Sequence, residues 1–202
     1  MMLNYHVIDL MSGAVFALIL VWIVLALRRC RSVGRYVLMS ILVVYLCEVF
    51  NLVGIPGLGY FHWDPNIQLI PFSDEHTRRY LIQLGLNAAL FVPFGILVPM
   101  IWREFRSWGA TTGAGFLTSL LIEGIQLCSF RATDVDDLIM NTLGTFVGYL
   151  LAWIFLHGFW KRSQFGKPSR GPGLALTILI CLAVMVVIRM PVSTWIYSLI
   201  PA

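Results

Sequence analysis

Charge is what this chain has least of. Only 12% of its 202 residues are Asp, Glu, Lys or Arg, against the roughly one quarter expected of a soluble globular domain. Hydrophobic residues make up 59% and the mean hydropathy is +0.84. An ordinary soluble fold is excluded. At about 20 apolar residues per bilayer crossing, a chain of this length holds at most about seven or eight spans, with nothing left for a separate extramembrane domain. The sequence therefore reads as a single membrane domain over residues 1–202, an all-α, polytopic transmembrane helix bundle. Long basic runs are also lacking. The net charge of +4, from 14 Lys and Arg against 10 Asp and Glu, reports how topology is encoded, and no nucleic acid partner is expected. The four cysteines, Cys30, Cys47, Cys128 and Cys181, share no CxxC spacing and lie in or beside apolar segments. That removes the recognisable zinc and redox motifs and leaves them as small apolar filler.

What is present is a series of six apolar stretches, at residues 8–27, 36–55, 81–101, 110–128, 138–157 and 174–190, each near the length of a spanning helix. No basic residue precedes the first stretch and no small-residue cleavage pattern follows it, so it reads as a retained helix. Six helices divide the loops into two sets. Arg28, Arg29, Arg31, Arg35, Arg103, Arg106, Lys161, Arg162, Lys167 and Arg170 fall on one side, and only Arg78, Arg79, Arg131 and Arg189 on the other. The positive-inside rule then places both termini outside the cell membrane, together with the loops 56–80 and 129–137 that carry Asp64, Asp74, Glu75, Asp134, Asp136 and Asp137. The linker 158–173 is a basic connector, and the last stretch, lacking acidic and amide side chains, reads as a packing helix. There is no internal repeat.

Polar side chains inside spans are costly, about 2.5–3.5 kcal/mol for Asp, Lys or Arg at a helix centre, so their placement is informative. Glu48, Asn87, Glu123, Gln126 and Asn141 all fall within roughly 10 Å of the same membrane face at 1.5 Å rise per residue. Glu123 and Gln126 are i and i+3 on one helix face; Asp137, Asn141 and Gly144 are i, i+4 and i+7 on another. Gly144 and Gly148 make a small-xxx-small step that permits close helix approach. Pro93 and Pro99, flanking Gly95, are expected to kink the third helix and open room beside Asn87. Simple pairing is one account of these groups, with Glu48 or Glu123 meeting Arg131, Arg78 or Arg79. Their density favours a site.

These residues resemble the VanZ-like family of membrane proteins, whose first member was associated with teicoplanin resistance. The matching elements come in order: Asn66-Ile-Gln-Leu-Ile-Pro71-Phe72, then Asn87-Ala-Ala-Leu-Phe-Val-Pro93-Phe-Gly95, Glu123-Gly-Ile-Gln126, Arg131 with Asp134-Val-Asp136-Asp137, and Asn141-Thr-Leu-Gly144 with Gly148. They occupy residues 66–151. The resemblance implies a cell-envelope protein linked to lowered susceptibility to lipoglycopeptides, and it brings no catalytic mechanism with it.

Two chemistries remain open. In an enzyme acting on a lipid-linked envelope substrate, Glu123 and Asp137 would be the catalytic carboxylates, with Glu123 as general base. Asn66, Asn87, Gln126, Arg131, Asp134, Asp136 and Asn141 would bind substrate, Arg131 holding a phosphate or carboxylate through its planar fork. A hard divalent cation would suit the four carboxylates, although no residue is assigned as a metal ligand and no cofactor is identified. In a binding protein, the same outer pocket would hold an amphipathic or lipid-linked envelope molecule, ringed by the interfacial aromatics Tyr60, Phe61, Trp63, Phe72 and Tyr80. The acidic run also suits a solvated hairpin that caps the fifth helix. A transporter is disfavoured, because the polar residues gather near one face instead of tracing a path through the midplane.

Overall fold

The structure, a computed structural model, describes residues 2–28, 30, 32–63, 67–72, 77–129, 133–162 and 173–199. In a bilayer a single apolar segment satisfies its own backbone N–H and C=O groups only as a helix. The described chain is accordingly helical: α1 (Met2–Leu27), α2 (Val33–Leu52), α3 (Arg78–Ile101), α4 (Trp108–Gln126), α5 (Val135–Arg162), α6 (Leu174–Val187) and α7 (Arg189–Leu199). Two short strands, β1 (Ile67–Gln68) and β2 (Thr133–Asp134), form a parallel bridge. The expected all-α bundle is what forms, with seven helices where the sequence suggests about six. Polar residues begin the helices as N-caps: Ser32, Thr77 and Ser107 accept hydrogen bonds from the backbone N–H of Arg35, Tyr80 and Ala110, meeting donors that the first turn leaves orphaned.

By length and composition, four described helices can cross a membrane: α1 over Val7–Leu27, α2, α3, and α5 over Val135–Leu156. The bent pair α6 and α7 makes a fifth if it is one span. Their outward surfaces carry exposed apolar side chains such as Trp22, Ile23, Leu81, Leu86, Ile154 and Phe155, as lipid contact requires. The stretch 110–128 folds as α4 but is not among these candidates. Thr111, Thr118, Ser119, Glu123 and Gln126 are buried in it, so its polar face is directed at protein.

The chain divides into two compact units, Met1–His62 with Ser169–Ala202, and Trp63–Pro168. In the first, α1 packs on α2, α6 and α7, and α2 packs on α6, burying Val21, Leu25, Leu46, Phe50 and Met185. Cys47 and Cys181 are free thiols in this core, the filler role expected of them. The last apolar stretch does not end at Met190. Pro191 has no N–H for the carbonyl of Val187 four residues back, and its ring crowds that carbonyl. Thus α6 stops at Val187 and α7 continues with a 45° bend. Arg189 stands at the break. Counted from sequence as a loop charge, it is instead buried, donating to Asn51 Oδ1 and to the Ile55 carbonyl, each at 2.8 Å. Those acceptors lie at and beyond the end of α2, so the guanidinium ties the helix break to the end of that helix. Glu48 also belongs to this unit, on α2.

The second unit contains α3, α4 and α5. Tyr80 bonds Asp136, a methyl on Gly144 would meet the Ala88 carbonyl, and one on Gly148 would meet the Val92 carbonyl. Each of these pairs is 56 residues apart. A constant offset with both members advancing means that α3 and α5 run parallel and in step, with α4 as the return helix. Three glycines allow this approach. A Cβ at Gly95, Gly144 or Gly148 would overlap backbone atoms of the facing helix, so the sequence's small-xxx-small step is a backbone-to-backbone seam. α3 continues through Pro93 and Pro99 as one helix.

Candidate functional site

At the end of the second unit where α3 and α5 begin and α4 ends, the matched polar residues come together. Asp134, in β2, is fixed by the bridge to β1, with Gln68 opposite it. Its carboxylate accepts the backbone N–H of Asp136 at 2.9 Å and so caps α5, whose first turn also carries Asp136 and Asp137. Acidic residues are favoured there because that helix end has the positive pole of the backbone dipole and unpaired N–H groups.

Asp136 is the most enclosed of the three, only 3% exposed. Oδ1 accepts the Phe72 N–H at 2.9 Å and Oδ2 accepts the Tyr80 hydroxyl. Phe72 has φ of +54°, a left-handed conformation that costs a residue with a Cβ about 1–2 kcal/mol. The carboxylate bond is one force holding that turn. We expect Asp136→Ala to lower unfolding stability by about 2–3 kcal/mol through loss of two charge-assisted hydrogen bonds. Tyr80→Phe removes one of them and should cost about half as much. Denaturant titration of the purified variants checks the order; Tyr80→Phe matching or exceeding Asp136→Ala would contradict it.

Glu123 lies in the last turn of α4, 4% exposed, and its Oε2 accepts the Asp134 N–H at 3.2 Å. Its backbone carbonyl accepts the Thr133 hydroxyl. Asn87, on α3, donates its amide to Asp137 Oδ1. One turn further along α5, Asn141 is buried and donates to Ser119 Oγ of α4 at 2.9 Å, while its Oδ1 accepts nothing among the described residues. Gln126 closes α4 and is buried. Three helices and the β1–β2 bridge thus supply one polar cluster. Glu48 is on α2, in the other unit. Asn66 and Arg131 lie outside the described residues.

The carboxylates point at different donors: a backbone amide for Glu123, another for Asp134, a loop amide and a phenol for Asp136, and a side-chain amide for Asp137. Among the described residues no three His, Cys, Asp or Glu are grouped to hold a metal ion. The arrangement suits polar recognition by a preformed shell. Sequence reasoning missed three members. Tyr80 reads in sequence only as an interfacial aromatic, Phe72 as an interfacial aromatic and the end of the Asn66–Phe72 element with no site role, and Ser119 carries no signal beyond lying four residues before Glu123, one helical turn along the same face.

The family model described as VanZ/LLP1 matches residues 36–157, which reach from α2 through nearly all of α5 and extend the 66–151 segment toward the N-terminus. The chain is 30% identical over 127 residues to Protein VanZ of Enterococcus faecium, an alignment covering 58% of this chain and 74% of the relative. No solved structure matches it. With most of its described spans and every described member of the polar cluster inside the matched segment, this multi-pass membrane protein belongs to the VanZ/LLP1 family.

Proposed function

We propose that this protein lowers the susceptibility of its cell to lipoglycopeptide antibiotics of the teicoplanin type, acting at the cell envelope through the polar cluster of the second unit. The observation that carries the reading is the convergence of matched residues from three helices at one end of one compact unit. The imbalance of loop charges, ten Lys and Arg against three once the buried Arg189 is set aside, supports an outward orientation for that end and for both termini. An effect on the cell surface needs that orientation.

The cluster acts by binding. Each of its carboxylates already accepts a hydrogen bond from the protein's own donors, an arrangement suited to holding the headgroup of an amphipathic or lipid-linked envelope molecule. In this reading Asn87, Gln126, Asp134, Asp136 and Asn141 shape the polar floor, and Asn66 and Arg131, matched in sequence, are proposed to bind the same molecule. A second reading rests on the burial of Glu123 beneath the surface: Glu123 as general base, with Asp137, on a lipid-linked substrate.

Expression of the full chain in a susceptible Gram-positive host tests the function. The inhibitory concentration of a teicoplanin-type lipoglycopeptide should rise severalfold over the vector control. An unchanged value, with the protein present in the membrane, rejects the proposed role.

A further inference from the structure

The far end of the second unit has a feature that the polar cluster does not use. Trp108 at the start of α4 and Phe146, Tyr149, Leu150 and Trp153 of α5 line an open groove of about 440 Å³. The four α5 residues recur at i, i+3, i+4 and i+7, one face of a helix. All four lie inside the Val135–Leu156 span, so the groove opens where lipid chains are its surroundings. Its inner wall is tied to the α3–α4 turn, for the Tyr149 hydroxyl donates to the Arg106 carbonyl at 3.1 Å. That turn holds Arg103, exposed, and Arg106, half-buried, with Glu104 between them. Burial, and after it the charge of Arg103, shift the Arg106 guanidinium below its ordinary pKa. Its Nε donates to the Pro99 carbonyl at 3.4 Å.

We infer that this groove is a lipid site that seats one acyl chain of an anionic phospholipid, with the phosphate against Arg103 and Arg106. Three observations select that occupant. The groove is apolar and is lined by four residues of a candidate span; the turn that carries Arg103 and Arg106 borders it, through the Tyr149 bond to the Arg106 carbonyl and through Trp108 two residues on; and the sequence assigns this turn to the set of loops expected to hold ten of the fourteen Lys and Arg. Glu104 reduces the local charge without cancelling it. Trp108 and Trp153, 66% and 49% exposed, supply indoles of the kind that settle near the headgroup level.

The test uses the full chain in detergent, exchanged against equal amounts of phosphatidylglycerol and phosphatidylcholine, with retained lipid read by native mass spectrometry. One phosphatidylglycerol per chain should be retained in preference to phosphatidylcholine. Arg103→Gln should weaken retention about fivefold, the counterpart of ~1 kcal/mol per basic residue at an anionic surface. Leu150→Trp, which fills the groove, should abolish retention, whereas Leu117→Trp, at an exposed position of α4, should leave it intact. Equal retention of the two lipids, unchanged retention in Leu150→Trp, or a dimer that excludes lipid from the groove would each overturn the inference. Arg103 is exposed, so its variant reports on charge even if a groove variant folds poorly.

Discussion

Alanine at both Gly144 and Gly148 is expected to lower the stability of the second unit by up to about 4 kcal/mol, loosening α3 from α5. A methyl at Gly144 would overlap the carbonyl of Ala88, and one at Gly148 would overlap the carbonyl of Val92 and crowd the Cα of Gly95. Those are backbone atoms. A flexible side-chain end can swing away from an added methyl, but a helix backbone yields only by moving the whole helix. Overpacking of this kind costs about 1–3 kcal/mol per site, set against a helix-propensity gain of about 1 kcal/mol for replacing glycine. The two sites share one seam, so their effects should not simply add. Gly113 and Gly124 of α4 supply the contrast, since a methyl at either meets nothing within 4 Å; alanine there should be neutral or stabilising. Thermal unfolding of the four single variants and the double variant in detergent separates these cases. Gly144→Ala no less stable than Gly124→Ala would mean that the in-step pairing of α3 and α5 is wrong.

The same seam sets the geometry of the polar cluster. With α3 and α5 parallel at a constant offset, Asn87 reaches Asp137 and Tyr80 reaches Asp136; sliding one helix by a single turn would part both pairs. The helical period of α5 already places Asp137, Asn141 and Gly144 on one face in the sequence. Which residues they meet depends on the register between helices, and no periodicity within one segment records that. Glu48 shares its expected depth along the membrane normal with the other polar residues, but depth is one coordinate only, and packing places Glu48 in another unit. Tyr80 escaped notice because an aromatic at a helix start looks the same whether it faces headgroups or a carboxylate. Arg189 was misplaced because its partners, Asn51 and the Ile55 carbonyl, lie more than 130 residues earlier in the chain. Its burial becomes legible only once the break before Pro191 is seen. α4 reads as a span by its apolar content, and packing adds that its threonines, serine, Glu123 and Gln126 lie on the protein side.

Neutralising the two carboxylates should abolish the proposed resistance while leaving the bundle assembled. Glu123→Gln keeps an oxygen to accept the Asp134 N–H, and Asp137→Asn keeps one for the Asn87 amide. Each loses the charge and little of the geometry, so the structural cost should stay near ~1 kcal/mol. The effect on function should be far larger if recognition or chemistry depends on negative charge at this end of the unit. Glycine variants would be a poor test of that point, because they alter function and folding together. The most direct measurement is therefore the lipoglycopeptide inhibitory concentration of cells carrying the wild type, Glu123→Gln or Asp137→Asn at equal membrane abundance. Both variants should fall to the vector level, and full retention of resistance by both would contradict a carboxylate-centred site.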